Sequence, residues 1–209
     1  MNAPVSVIRR GRKFDQVLEG ARDVFLSQGF EGASVDEIAR RAGVSKATLY
    51  SYFPDKRLLF LEVAKTECQR LSNDALEHVD SNAPVRDMLR FAADRMAEFF
   101  NSDIAINVFR VCAAESERFP ELAREFYRTG PEMGRGHMMD YLQGEATKGT
   151  LVIEDVEMAA DQFSELCRAR LFTDRIFGIR EKMTAEELSR IAHEAVETFM
   201  ARYGPRDGD

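Results

Sequence analysis

The chain has 209 residues, a size at which a hydrophobic core closes without disulfide or metal staples. Hydrophobic residues make up 44% and charged residues 31%, which excludes a disordered or fibrous chain, and no apolar run approaches the ~20 residues of a membrane span. The net charge of −7 argues against a protein that coats nucleic acid, yet through Phe60 ten Lys/Arg stand against seven Asp/Glu, while the remainder carries 19 against 29. A basic head on an acidic body permits one phosphate-facing end.

Cys68, Cys112 and Cys167 are odd in number and lack a CxxC pair, so free thiols are expected rather than a disulfide framework or a thiolate zinc site. None of His78, His137 and His193 lies three residues after a Glu, which removes the Glu-x-x-His pattern of a di-iron bundle. No metal and no cofactor is expected. The opening MNAPVSVIRRGRK has no apolar run behind its charges and does not read as a secretory signal, so the expected location is cytoplasmic.

The first helix is expected from about Lys13 to Gln28, with Val17, Leu18, Ala21, Val24 and Phe25 on one stripe. Gly29 stops it, and Phe30 folds back onto the stripe. Ser34-Val-Asp-Glu37 reads as a capping box opening a short helix that ends near Ala42. Gly43 makes the turn, Ser45 caps a third helix to about Tyr52, and Phe53-Pro54 ends it. Asp55 caps a long fourth helix toward Val79. Pro84 opens the next, through Met88, Leu89, Ala92 and Met96 to Phe99. Further helices are expected over 104–117, from Phe119-Pro120 to about Lys148 with a kink or split at Gly130-Pro131, and over 155–172. The last opens on a Thr184/Glu187 capping box and carries Leu188, Ile191, Ala192, Ala195, Val196 and Phe199. No alternating run predicts a strand, so the fold class is all-α with about nine helices. A boundary inside the fourth helix divides residues 1–57 from 58–209.

The segment Ser34–Lys56, SVDEIARRAGVSKATLYSYFPDK, carries the chemistry. Two short helices joined by a Gly-containing turn are the helix-turn-helix plan. Ile38, Val44 and Leu49 are the apolar residues that meet between steeply crossing helices, Ala39 leaves room for a close approach, and Gly43 accepts positive φ. With Leu49 and Phe53 on the buried side, Lys46, Ala47, Thr48, Tyr50 and Ser51 are left on the outer face, with Tyr52 at its edge. That face suits a major groove: Lys46 can reach a guanine edge or phosphate, Ala47 and Thr48 can pack on a thymine methyl, and Tyr50 and Tyr52 can donate to phosphate. Ser34 and Lys56 each stand at a helix N-terminus, where a phosphate can be held.

GASVDEIARRAGVSKATLYSYFPDKRLLFLEV resembles the N-terminal domain of the TetR/AcrR family of bacterial transcriptional regulators, and AAESERFPELAREFYRTGP is similar to the C-terminal domain of one branch of it. The resemblance implies a homodimer, a palindromic double-stranded DNA operator, and repression relieved by a small ligand in the body. It places DNA contacts on Ser34, Lys46, Thr48, Tyr50, Tyr52 and Lys56. Ser51 is small where some members carry a bulky aromatic.

Arg9, Arg10, Arg12 and Lys13 can form an arm on the minor groove or a solvated tail. Gly130-Pro-Glu-Met-Gly134-Arg-Gly136 looks like a phosphate loop, but no strand precedes it and no Lys-Ser/Thr follows, so a kinked helix is the expectation. Phe99, Phe109, Cys112, Phe126, Met133 and Met138 are expected to line an apolar effector pocket. Phe163, Leu166, Ile191, Ala195 and Phe199 are expected at a four-helix dimer interface. The rival reading, an all-helical enzyme or small-molecule carrier, lacks a nucleophile elbow, a metal triad or a nucleotide loop.

Overall fold

A computed structural model of the chain describes residues 11–77, 83–117 and 120–205. All regular structure among them is helical: α1 (Arg12–Gly32), α2 (Val35–Ala42), α3 (Lys46–Tyr52), α4 (Lys56–Glu77), α5 (Val85–Asn101), α6 (Asp103–Glu115), α7 (Pro120–Thr129), α8 (Pro131–Lys148), α9 (Val156–Cys167), α10 (Leu171–Ile176) and α11 (Ala185–Tyr203). The all-α expectation holds, with eleven helices among the described residues rather than about nine, because two expected helices are divided. Pro131, which has no N–H to give, begins α8 after Gly130 leaves helical space at φ −118° and ψ −87°. The second division was not legible in the sequence. The helix expected over 155–172 ends at Cys167, and Arg170 turns the chain at φ 62° before α10. A left-handed non-glycine residue costs ~1–3 kcal/mol. It persists because fully buried Leu171 is fixed beside it. Arg9, Arg10, Val79, Ser81 and Phe119 lie outside the described residues.

Two apolar cores organise the chain. The first gathers Phe14, Val17, Ala21, Val24 and Phe25 of α1 with Ile38, Leu49, Phe53, Leu59, Phe60 and Val63. It does not stop at residue 57: Ala64 of α4 and Val108 and Val111 of α6 belong to it, so α6 is packed into the head. Phe30 folds back as expected, with its ring 6.2 Å from Phe25 and 4.9 Å from Phe60. The second core joins α5, α8, α9 and α11 through Leu89, Ala93, Leu142, Ala159, Phe163, Ala192, Ala195 and Phe199.

That second core corrects the interface expectation. Phe163, Ala195 and Phe199 are buried inside the protomer, with Phe163 edge-on to Phe199 at 5.1 Å. Their stripes are wide because α5 and α8 of the same chain cover them. Of the five residues expected at the interface, only Leu166 and Ile191 keep partial exposure. Cys68 and Cys112 are half-buried and Cys167 is buried; all three are free. Burial pushes the first two thiols up to about 11 and the third to about 12, which favours the protonated form.

Candidate nucleic-acid interface

The head is built from its caps upward. Ser34 Oγ accepts from Glu37 N–H at 3.1 Å and starts α2. Only this half of the expected capping box forms, because the Glu37 carboxylate turns to Arg40, whose Nε donates to it at 3.0 Å. Gly43 makes the turn at φ 64° and ψ 31°, a conformation that a Cβ would strain. Ser45 Oγ then accepts from Thr48 N–H at 3.1 Å and starts α3. Leu49 and Phe53 are buried and fix which face of α3 points inward.

The outward face is the one read from sequence: Lys46, Ala47, Tyr50 and Ser51 are exposed, and Thr48 is half-exposed. Tyr50 is 46% exposed, whereas the other head aromatics are buried or half-buried. Three polar groups on this face are already engaged, Thr48 Oγ1 lying 2.9 Å from Ser45 Oγ. Lys46 Nζ lies 2.6 Å from Asp36 Oδ1, which raises the lysine's pKa, so the ammonium must leave a carboxylate to meet DNA. Ser51 Oγ donates to Thr48 O at 2.6 Å. Tyr52 is half-buried, its ring 5.8 Å from Phe14 and edge-on, so it packs as well as faces outward. Ser34 is exposed at the head of α2. At the start of α1, Arg12 and Lys13 of the expected basic arm are exposed.

Lys56, expected at a phosphate, is also engaged within the head. Its Nζ donates to Phe30 O at 2.8 Å and Ala33 O at 3.2 Å, and lies 4.4 Å from the centre of the Phe30 ring. The ammonium thus holds the link between α1 and α2, immediately before Ser34. Asp55, as expected, caps α4 by accepting from Arg57 N–H at 2.8 Å.

Sequence reasoning missed the residue that seats this unit. Gly20 is buried on α1 where α2 crosses: a Cβ there would lie 2.6 Å from Ala42 N and 2.7 Å from Ala42 Cα. Reading Ala39 as the small residue of the crossing looked between α2 and α3; the approach at Gly20 is between α1 and α2. A glycine inside a strongly striped helix was the available signal.

The six expected effector residues are divided between the two cores and the surface. Cys112 and Phe126 pack on the head core, Met138 packs on the body core, and Phe109 is 46% exposed with its ring against Phe172 at 4.7 Å. Phe99 and Met133 are half-buried on α5 and α8. Among the described residues no group of His, Cys, Asp and Glu is placed to hold a metal ion, and no helix is long and apolar enough to cross a membrane.

Residues 17–63 match the family described as bacterial regulatory proteins, tetR family, and residues 87–205 match the AefR-like transcriptional repressor C-terminal domain. The chain belongs to the TetR family. Members of this family are transcriptional regulators with a DNA-binding head, not enzymes. A TetR-family regulator from Mesorhizobium loti superposes with a TM-score of 0.80 at 26% identity, covering 93% of this chain and 98% of that one. The flavonoid-responsive regulator FrrA is 36% identical, with a TM-score of 0.69 and coverage of 94% and 100%. The transcriptional activator FasR of Mycolicibacterium smegmatis is 34% identical over 94 residues, 45% of this chain and 43% of that protein. The repressor AcnR of Corynebacterium efficiens is 35% identical over 63 residues, 30% of this chain and 34% of that protein. The chain therefore spans less than half the length of either curated relative.

Proposed function

We propose that this TetR-family protein is a repressor that binds a palindromic operator as a homodimer, with Lys46, Ala47, Thr48, Tyr50 and Ser51 of α3 in the major groove of each half-site. The observation that carries the reading is the outer face of α3: a half-exposed tyrosine beside a lysine and small residues, on a short helix whose other side is locked by Leu49 and Phe53. Ser34 and its helix N-terminus serve as a phosphate contact. Two such heads fit successive major grooves only at a separation of ~34–36 Å. The second copy joins through the outer sides of α9 and α11, where Met158 is 50% exposed and Leu166 and Ile191 are half-buried. A small apolar effector that prefers a different head spacing lowers operator affinity by its differential binding. The similarity to FrrA, a flavonoid-responsive regulator, supports an aromatic effector.

Fluorescence anisotropy with duplexes from the DNA upstream of its own gene tests the reading. Tyr50→Ala is expected to weaken specific binding by ~5–100-fold, the worth of one good groove contact, at unchanged melting temperature. A Tyr50→Ala protein that binds like the parent removes α3 from the groove. The similarity to FasR, an activator, favours a second reading; reporter output in a deletion strain separates the two, since loss of a repressor raises expression and loss of an activator lowers it.

A further inference from the structure

The α10–α11 connection and the N-terminal end of α6 enclose an open hollow of about 780 Å³ lined only by charged residues: Asp103, Arg175, Arg180, Glu181 and Lys182. Arg175 is the unusual member. It is only 6% exposed, yet its Nη2 donates to Asp103 Oδ1 at 2.5 Å and its Nε has no partner. A guanidinium fork is built for two oxygens, and here one edge holds a single oxygen. Asp103, with a side chain 59% exposed, covers the buried cation from the solvent side and also takes Lys182 at 3.2 Å. Arg180, on the rim, gives an N–H to Glu187 of α11.

The position of Asp103 gives this arrangement consequence. It is the first residue of α6, and α6 supplies Val108 and Val111 to the head core. Two turns further on, Arg110 donates to the carbonyls of Arg175 and Ile176, so α6 is held to α10 at two points.

We propose that this hollow is an anion-sensing site: a small hydrophilic anion, carboxylate or phosphate, displaces Asp103 from Arg175 and Lys182, seats two oxygens on the Arg175 fork, and frees the end of α6 that positions the DNA head. The site is separate from the apolar effector proposed above, and a charged lining selects against that effector.

The test titrates the full chain, without DNA, by calorimetry with inorganic phosphate in one arm and succinate in the other, at constant ionic strength in chloride. One arm is expected to saturate, and which one does identifies the head group. Lys182→Met and Arg175→Lys should each weaken that binding by at least ~tenfold, the size of a lost charge-assisted hydrogen bond, with circular dichroism confirming the fold. Asp103→Asn should strengthen it several-fold, because the resident carboxylate no longer competes. In anisotropy, the same anion should weaken operator binding by the parent, and Asp103→Asn should weaken it with no anion present. Saturation in neither arm, equal affinity in Lys182→Met, or weaker affinity in Asp103→Asn overturns the site. Anion binding that leaves operator affinity unchanged overturns the coupling. Because anion binding is read without DNA, a chain that bound no operator would still reveal whether the hollow takes an anion.

Discussion

Gly20→Ala tests whether the recognition unit is seated by one close backbone crossing. Ordinarily this exchange in a helix interior stabilises by ~1 kcal/mol, because alanine surrenders less backbone freedom. Here the added Cβ would stand 2.6 Å from Ala42 N, where ordinary contact begins at 3.4 Å, a shortfall of about 0.8 Å. The obstructing atoms are Ala42 N, Cα and Cβ, none of which a rotamer change can move; α2 must move bodily. Overpacking of this kind costs ~1–3 kcal/mol, and with helix backbone on both sides the upper end applies, leaving a net loss of ~2 kcal/mol. In a chain of this size that lowers the melting temperature by ~4–8 °C. Moving α2 carries Ser34 and the Gly43 turn with it and tilts α3, so operator affinity should fall by at least ~tenfold, the equivalent of a lost groove contact. Gly144→Ala is the matched control, since its Cβ would meet nothing within 4 Å on α8; it should stabilise by ~0.5–1 kcal/mol and leave DNA binding alone. The two variants are compared by thermal melts followed by circular dichroism and by operator anisotropy. A Gly20→Ala protein that melts at or above the parent and binds operator normally refutes the close crossing.

Lys56→Met should lower the melting temperature and weaken binding to every duplex while leaving the salt dependence unchanged, because the ammonium bonds carbonyls; a slope reduced by ~1 would instead restore the phosphate contact expected from sequence. Burial acts to raise the pKa of Glu67, but hydrogen bonds from Arg22 and Arg70 prevail and hold it below its ordinary value of 4.5. The unfolded chain therefore takes up the proton first, so the contribution of Glu67 to stability is complete above pH ~4.5 and is lost on acidification through the lower folded value. Urea titrations of the parent and Glu67→Gln should differ at pH 7 and converge at low pH; a pH-independent gap refutes the ion-pair account. Phe163→Asp should unfold the protomer, whereas Ile191→Asp should yield folded monomers by light scattering with circular dichroism; a folded Phe163→Asp protein would overturn the assignment of that ring to the protomer's own core.

The sequence by itself determined the local features. Caps at Ser45 and Thr184, the Gly43 turn, the stop at Phe53-Pro54 and the stripe that buries Leu49 depend on neighbours within a few residues, and each stands where expected. The outer face of α3 follows from the same periodicity, which is why its residues were legible. Tertiary structure alone decided matters that rest on residues distant in the chain. Lys56 meets the carbonyls of Phe30 and Ala33 only because α4 returns across the end of α1. Gly20 lacks room for a Cβ because Ala42 crosses it, and the positive φ of Arg170 stands beside fully buried Leu171. The wide stripe of α9 and α11 announced extensive burial but could not name its cover, since an apolar side chain has no direction in its attraction; α5 and α8 of the same chain supply it.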